Sequence, residues 1–233
     1  MKIEGYSIVY SGLEERAYFA SATVDGRSVW AAASGNRETA ALRLITGLED
    51  LDNAGSGPTA PDVEEVFYKA HADLLRMDTV VSAAGIFSDG SALNLFNIGN
   101  ARVLVFMDGY MVFHTDDHTE AYENDRVMMS GNAAAYDSVR GLNGRLVLTR
   151  GLGLKDSEPL QFYPPVPLQK NLAVLICTER FWHYLSVMEM ELDYRKAAGP
   201  EEWLKIMSRR VLMKAGHELD DGNFAAAAVM AED

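Results

Sequence analysis

The chain has 233 residues, of which 48% are hydrophobic and 24% charged, a composition typical of a globular protein and not of a disordered one. Its formal net charge of −13 argues against nucleic acid as a partner and against binding to an anionic membrane, since both require clusters of lysine and arginine. Cys177 is the only cysteine, so no disulfide can form within the chain, and we expect a cytoplasmic protein.

The first part of the chain is predicted to hold three strands followed by two helices. The strands cover Ile3–Ser11, Arg16–Val24 and Ser28–Ser34. Asp25-Gly26 lies between the second and third strands and is a hairpin signal. Residues Asn36–Leu51 carry apolar side chains at helical spacing, and Thr59 precedes a second helix with Pro61 in its first turn.

The middle of the chain is predicted to be a β-meander. Its strand candidates are Thr79–Phe87, Ala92–Ile98, Arg102–Met107 and Tyr110–His114. They are joined by short turns that contain Asp89-Gly90, Gly99-Asn100 and Asp108-Gly109, and turns this short force neighbouring strands to be antiparallel. A polar stretch from His118 to about Arg140 is predicted to be helical.

The last part of the chain returns to strands and then to helices. Strands are predicted at Arg145–Thr149, Leu160–Tyr163, Leu172–Thr178 and Phe224–Met230, and long helices at Phe181–Ala198 and Pro200–Gly216. Because strands and helices come in blocks, the pattern favours an α+β fold over a doubly wound parallel sheet. We see no internal repeat and no linker, so we expect a single domain over residues 1–233.

Several segments together resemble a known family. Within Met77–His118, the pieces M-D-T-V, N-I-G-N-A-R and T-D-D-H are similar to M-G-T-T, N-x-G-D-S-R and T-x-D-H of the PPM, or type 2C, metal-dependent Ser/Thr protein phosphatases. Val147–Gly153 is similar to the family's L-T-R-A-L-G, Leu172–Arg180 to L-L-L-C-S-D-G, and Asp221–Val229 to D-N-x-T-V-V-V. The resemblance covers nearly the whole chain, in order, and indicates a degenerate bacterial member. It implies a four-layer α-β-β-α sandwich, in which two packed, mainly antiparallel sheets are flanked by helix pairs.

The same resemblance assigns the positions at which the family holds two Mg²⁺ or Mn²⁺ ions with carboxylates. They are Glu15 and Arg16, Ala32 and Ala33, Glu179 and Arg180, and Asp221 and Gly222. In the first pair a carboxylate is kept, but Arg16 stands for a metal-linked aspartate and brings a positive charge. In the second pair Ala32 stands for the metal-bridging aspartate and has no ligand atom.

The remaining two pairs are degenerate as well. Glu179 keeps a carboxylate on a side chain one methylene longer, and Arg180 adds a second cation where the family has glycine. Gly222-Asn223 matches the terminal D-N without its aspartate, whereas Asp221 fits with a shift of one residue. Because ligands that touch the metal are missing, we expect two-metal catalysis to be lost, and we assign no catalytic residue. If a metal binds, its expected ligands are Glu15, Glu179 and Asp221.

Three functions stay open at this point. The first is a catalytically impaired pseudophosphatase that acts as a binding or regulatory module, without a cofactor and with a protein partner such as a phosphoprotein. The second is an active Mg²⁺- or Mn²⁺-dependent phosphoprotein phosphatase with rearranged ligands, Asp220 among them. The third is a purely structural subunit whose groove is closed.

Two other residues have simpler interpretations. His118, with Thr115, Asp116 and Asp117, is interpreted as a turn and cap that ends the meander, and not as a metal or acid/base site. Cys177 lies in an apolar strand and is interpreted as a buried structural thiol.

Overall fold

The computed structural model describes residues 2–11, 15–24, 26–51, 58–123, 147–216 and 223–232. Most of the stretch predicted to be helical, from His118 to Arg140, lies outside these ranges beyond residue 123. Asp220, Asp221 and Gly222 also lie outside the described residues.

The first part of the described chain contains strands, two helices and then the meander. Its elements are β1 (Lys2–Tyr10), β2 (Ala17–Val24), β3 (Arg27–Gly35), α1 (Leu42–Glu49), α2 (Ala60–Arg76), β4 (Val81–Ser88), β5 (Ala92–Ile98), β6 (Arg102–Met107) and β7 (Tyr110–His114). The predicted bounds of β5, β6 and β7 are confirmed. Short turns fix where each of these strands must end.

The second part holds the remaining strands and a group of helices. Its elements are β8 (Gln161–Phe162), β9 (Val166–Pro167), β10 (Leu172–Cys177), α3 (Glu179–Trp182), α4 (Val187–Lys196), α5 (Pro200–Ala215) and β11 (Phe224–Glu232). Among these described residues, no helix is long and apolar enough to cross a membrane.

Two antiparallel sheets form the centre of the molecule. Within the described ranges, one sheet has the strand order β1-β11-β10-β6-β7. The other has the order β2-β3-β4-β5-β8, with β9 also paired to β5. Neighbouring strands are antiparallel in both sheets. The predicted α+β class with mainly antiparallel sheets is confirmed.

Alternation along the strands divides the apolar side chains of the described residues into three cores. In β11, Phe224, Ala226 and Ala228 pack with α3, α4 and α5, while the intervening side chains pack between the two sheets. On the outer face of the other sheet, α1 packs against β2 and β3, and Phe67 of α2 contacts Phe96 of β5 in the same apolar core. The layers therefore run helices, sheet, sheet, helices, as the predicted four-layer sandwich requires.

Two predicted helices differ from the structure. The helix predicted at Asn36–Leu51 begins only at Leu42, because Thr39 has a positive φ of 59°, which a right-handed helix does not allow. The helix predicted at Phe181–Ala198 is divided into α3 and α4. Ser186 is extended and caps α4 by accepting a hydrogen bond from the backbone amide of Glu189.

The strand predicted at Arg145–Thr149 is reduced in the described residues to one bridge. Leu148 pairs there with Thr119. A single bridge forms no ladder, so the described residues 147–149 do not extend either sheet.

Candidate functional site

Several chain segments meet in a cavity of ≈260 Å³ at one end of the two sheets. Antiparallel pairing brings the start of β2 beside the end of β3, since Ala17 is the partner of Ser34. The same pairing brings the end of β10 beside the start of β11, where the Thr178 amide donates to the Ala225 carbonyl. The described residues that line the cavity are Arg16, Ser34, Gly35, Asn36, Val80, Ser82, Asn100, Leu148, Glu179, Arg180 and Asn223.

The first predicted pair is divided by the structure. Arg16 lines the cavity, and its carbonyl oxygen accepts a hydrogen bond from the Gly35 amide at 2.9 Å, which holds it beside the end of β3. Glu15 is exposed and is not among the described lining residues. Its carbonyl oxygen instead accepts hydrogen bonds from the Thr39 amide at 3.1 Å and from the Tyr18 hydroxyl at 3.0 Å. The retained carboxylate of this pair is therefore not part of the cavity wall that the described residues form.

The second predicted pair lies in the cores and does not line the cavity. Ala32 is fully buried between the two sheets, and Ala33 is fully buried against α1 and α2. The residues of β3 that do line the cavity are Ser34 and Gly35, two positions further along. Ala32 and Ser34 share a face of the strand because side chains alternate, but only Ser34 lies far enough along β3 to reach the cavity. Residue 34 therefore presents a hydroxyl to the cavity and not a carboxylate.

The third predicted pair is brought into the cavity. Glu179 and Arg180 begin α3 directly after β10, and both line the wall. Glu179 Oε1 lies 3.3 Å from His183 Nδ1, one helical turn further on. Glu179 is therefore the carboxylate that the described residues contribute to this site, and part of it already contacts another side chain.

Polar residues that the sequence analysis did not assign complete the wall. Ser34 and Ser82 are opposite one another on β3 and β4. The Ser82 hydroxyl accepts a hydrogen bond from the Asn100 amide at 3.3 Å, and Asn36 Oδ1 accepts one from the Val80 amide at 3.0 Å. The sequence feature that could have predicted this part of the wall is the N-x-G-N turn, which contains Asn100.

Gly99 is required by the turn that positions Asn100. Its φ of +77° lies in the left-handed region, and a Cβ at this position would overlap the Ser82 side chain. The adjacent amide of Asn100 can approach β4 closely only because residue 99 has no side chain. This turn therefore sets one wall of the cavity.

A buried polar network lies behind that turn. Arg102 and Asp117 form a paired set of hydrogen bonds, and the guanidinium carbon of Arg102 is 3.4 Å from the ring centroid of Trp182. Trp182 Nε1 donates to the Asn100 carbonyl at 2.9 Å, and the Gly99 amide donates to His118 Nδ1 at 3.1 Å. The network joins the end of the meander to α3 and holds both beside the cavity.

His118 belongs to this network and has the structural role that its sequence position indicated. Because Nδ1 accepts from Gly99, we assign the proton to Nε2, which donates to Gln161 Oε1 at 2.8 Å. Arg150 Nη1 donates to the same oxygen at 2.6 Å. Burial lowers the pKa of His118, and the nearby Arg150 charge lowers it further.

Cys177 is fully buried in β10, beneath α3. Burial raises the pKa of its thiol well above the usual range, so the reactive thiolate is disfavoured. This agrees with the interpretation of Cys177 as a structural residue.

Whether this cavity can hold a pair of divalent cations depends on the ligands that its wall offers. Mg²⁺ and Mn²⁺ prefer hard oxygen ligands, above all carboxylates. Glu179 is the carboxylate among the described lining residues, and two guanidinium groups, from Arg16 and Arg180, share the wall with it. In the ranges that the structure describes, no group of three or more His, Cys, Asp or Glu side chains is arranged to hold a metal. These residues do not fit a two-metal centre.

Comparisons with known proteins agree with the fold. No family model matches the sequence. Bovine protein phosphatase 1B is 26% identical over 218 residues, an alignment that covers 77% of this chain and 43% of that protein. The chain therefore spans less than half the length of this curated relative.

Solved phosphatase structures match almost from end to end. The serine/threonine phosphatase Stp1 of Staphylococcus aureus has a TM-score of 0.83 at 11% identity, with 100% of this chain and 96% of that chain covered. The PPM Ser-Thr phosphatase MsPP of Mycobacterium smegmatis, in complex with cacodylate, has a TM-score of 0.75 at 18% identity, with 100% of both chains covered. The catalytic domain of PstP, in complex with two manganese ions, has a TM-score of 0.76 at 15% identity, with 99% of both chains covered.

These matches show that the chain has the fold of the PPM-type Ser/Thr phosphatases. Together with the sequence match to the bovine phosphatase, they support a relative of that family. The resemblance found in the sequence is thereby confirmed.

Proposed function

We propose that this chain is a PPM-type pseudophosphatase: a single-domain bacterial protein of the cytosol that keeps the phosphatase fold and acts as a binding or regulatory module without two-metal catalysis. The observation that carries the proposal is the composition of the cavity wall. Arg16 and Arg180 lie where the resemblance calls for a metal-linked aspartate and a glycine, and the residue of β3 that lines the wall beside them is Ser34 instead of a carboxylate. Two fixed positive charges repel a pair of dications, and a hydroxyl does not bridge them as a carboxylate does.

A second candidate is an active Mg²⁺- or Mn²⁺-dependent phosphatase with rearranged ligands. Glu179 favours it, because this carboxylate does line the cavity and one structural neighbour holds two manganese ions. A structural subunit with a closed groove is disfavoured by the cavity itself, whose volume is ≈260 Å³.

Calorimetric titration with Mn²⁺, together with p-nitrophenyl phosphate turnover on the same sample, separates the candidates. The pseudophosphatase proposal expects neither saturable binding at the cavity nor turnover. Glu179→Ala is the diagnostic variant, and Glu201→Ala is its matched control, since Glu201 is 57% exposed on α5 and pairs with Lys205. Saturable Mn²⁺ binding, with turnover that is lost in Glu179→Ala and kept in Glu201→Ala, would establish the active enzyme instead.

A crystal soaked in Mn²⁺ tests independently whether two metal ions bind in the cavity. The position to inspect lies between Arg16, Ser34 and Glu179, where the cavity is found. Two well-occupied metal positions there would refute the proposal, whatever the turnover on an artificial substrate.

A further inference from the structure

A second cavity lies on the helices that cover the outer face of the sheet β2-β3-β4-β5-β8. Its volume is ≈790 Å³, larger than the ≈260 Å³ of the cavity at the ends of the sheets. Its lining includes Thr46 and Gly47 of α1 and Val66 and Lys69 of α2, and we call it the α1–α2 groove. None of its described lining residues belongs to the candidate site, so the groove is a separate surface of the molecule.

The outward side of α1 forms the floor of the groove. Leu44 and Leu48 are buried in the core, so α1 covers its sheet with one face only. Arg43, Gly47 and Asp50 follow one another at i, i+4 and i+7 and therefore share the opposite face, which lines the groove. Arg43 and Asp50 are exposed. The face of α1 opposite its core is thus accessible to a partner.

Helix α2 forms a wall beside this floor and runs antiparallel to α1. Near the middle of α1, a Cβ on Gly47 would lie 2.9 Å from Val66 Cγ1, so the glycine permits the close approach of the two helices. At one end, Arg43 at the start of α1 lies 3.2 Å from Asp73 near the end of α2. The groove therefore follows both helices from this ion pair to the C-terminus of α1 and the first turn of α2.

The rim of the groove is acidic. Its described charged residues are the carboxylates Asp50, Asp62, Glu65 and Asp73 and the cations Arg43 and Lys69. Each cation already contacts a carboxylate, since Arg43 contacts Asp73, and Lys69 contacts Glu65 at 2.5 Å. The two carboxylates at the other end of the groove have no paired cation among the described residues. The undescribed connection between the helices, residues 52–57, contains Asp52 and no lysine or arginine, so it adds no positive charge.

The groove has the length and the composition to hold a helix. It extends along α2 from Asp62 to Asp73, which is about 16 Å, or about three turns, at the rise of an α-helix. Side chains at helical spacing form ridges and grooves into which the side chains of another helix pack. Leu42, which is 41% exposed, and Val66 supply apolar surface. An extended peptide instead requires the free backbone groups of a sheet edge, which a helix does not offer.

We propose that the α1–α2 groove docks an amphipathic helix of a protein partner. The apolar side chains of that helix lie over Leu42, Gly47 and Val66, and its lysine or arginine side chains lie at the end that holds Asp50 and Asp62. The apolar stripe supplies affinity, and the charges at the rim select a basic partner over an acidic one. The inference goes beyond the proposed function, because it concerns a surface outside the cavity at the ends of the sheets and holds whether or not that cavity binds metal.

The test is an NMR titration of the ¹⁵N-labelled chain with two helical peptides of about 15 residues. Both peptides carry the same stripe of leucines at helical spacing, but the charges that flank the stripe are lysines in one and glutamates in the other. We expect the lysine peptide to shift the amide signals of Thr46, Gly47 and Val66, and the glutamate peptide to leave them unchanged. Shifts that lie outside the groove, or no shifts with either peptide, would refute the proposal. Equal shifts in the groove with both peptides would refute the basic partner.

A charge reversal separates docking in the groove from general attraction to an acidic protein. Asp50→Lys should weaken binding of the lysine peptide by about tenfold, because it replaces attraction by repulsion at the rim. Glu64→Lys is the matched control, since it makes the same change of charge at an exposed position of α2 that is not among the described lining residues. Equal weakening in the two variants would show that only net charge matters and would reject the docking site.

A second variant tests the floor of the groove. Thr46 is exposed on α1, so Thr46→Trp should fold while its indole ring occupies the space that the partner helix needs. We expect it to weaken binding of the lysine peptide by about tenfold or more. Unchanged affinity in Thr46→Trp would reject a helix that lies on α1, and unchanged affinity in Asp50→Lys would reject the basic partner. The spectra of both variants without peptide show whether they are folded.

Discussion

Arg102 binds Asp117 through two parallel hydrogen bonds, from Nε to Oδ1 at 2.7 Å and from Nη2 to Oδ2 at 2.9 Å. Both side chains are buried, with 7% and 1% of their surface exposed. The pair joins β6 to the segment that follows β7, and Trp182 of α3 stacks on the guanidinium group. Burying such an ion pair in a medium of low dielectric constant costs free energy. Removing only one partner costs more, because the other charge is then buried without a counter-charge.

Removal of one partner of this pair should be strongly destabilising. Asp117→Ala leaves the Arg102 charge buried without its carboxylate, and we expect a loss of about 3–5 kcal/mol in the free energy of unfolding. Urea unfolding followed by circular dichroism measures this. The control is Glu65→Ala, which breaks an exposed pair with Lys69 on α2 and should cost about 0–1 kcal/mol. Equal losses of unfolding free energy in the two variants would show that the buried pair is no more important for stability than the exposed one.

Stability should fall as the pH is lowered below the usual range of histidine. Burial lowers the pKa of both His118 and His114, with Arg150 and Arg102 respectively as further causes. The unfolded chain, with histidine pKa values of about 6.5, therefore takes up protons before the folded chain does. This contribution to stability is fully present above about pH 6.5 and is lost as the pH falls from there toward the lowered folded values.

Urea unfolding between pH 8 and pH 5 checks this expectation. His118→Gln should be less stable at pH 8 but should show a shallower decline toward pH 5. A decline of the same steepness in His118→Gln and in the parent protein would disprove the role given to His118.

A carboxylate should be tolerated at Ser34 and not at Ala32. Ser34 lines the cavity, whereas Ala32 is fully buried between the sheets. Ala32→Asp would place a charge in an apolar core, and we expect it to reduce stability by several kcal/mol, the order of the cost of burying an ion. Ser34→Asp should be folded with a melting temperature close to that of the parent. Thermal unfolding compares the two variants. Similar melting temperatures would contradict the placement of Ser34 at the cavity and of Ala32 in the core.

Restoring carboxylates at the cavity should create metal binding. In the combined variant Arg16→Asp, Ser34→Asp, Arg180→Gly, two positive charges are removed and two carboxylates are added beside Glu179. We expect Mn²⁺ to raise the melting temperature of this variant and not that of the parent, since a ligand that binds only the folded state stabilises it. The control is a combined variant with Ala32→Asp instead of Ser34→Asp and with the same changes at Arg16 and Arg180. Failure of Mn²⁺ to stabilise the Ser34-based variant would count against the assignment of Ser34.

Loss of the cap at Ser186 should weaken α4. The Ser186 hydroxyl accepts from the Glu189 amide at 3.3 Å, and Glu189 Oε2 accepts from the Ser186 amide at 2.9 Å and from Lys214 at 2.6 Å. Ser186→Ala should cost about 1 kcal/mol of unfolding free energy, and Ser186→Gly only a few tenths. Met188→Ala, at a neighbouring site that is 70% exposed, should be nearly neutral. Chemical unfolding ranks the three, and an Ala variant as stable as the parent would show that the cap contributes nothing.

Local features of the fold could be predicted because their causes are local. In the turn between β4 and β5, Asp89 Oδ1 accepts from the amides of Ser91 and Ala92, and Gly90 takes a positive φ. Such turns are fixed by a few adjacent residues, so β5, β6 and β7 were predicted with their correct bounds. The break at Ser186 was missed, although its Ser-x-x-Glu signal is local, because apolar spacing continues across it.

The sequence by itself determined the antiparallel meander, the α+β class and, through its resemblance to a family, the four-layer arrangement. The resemblance also determined that Arg16 stands in place of an acid and Arg180 in place of a glycine, since residue type is a property of the chain alone. Only the tertiary structure decided that Arg16 and Arg180 share one cavity, that Ser34 lines it in place of Ala32, and that Glu15 lies outside. The physical reason is that strand pairing and the stacking of two sheets bring together the ends of segments distant in sequence, and a shift of two residues along a strand carries a side chain from the core to the cavity.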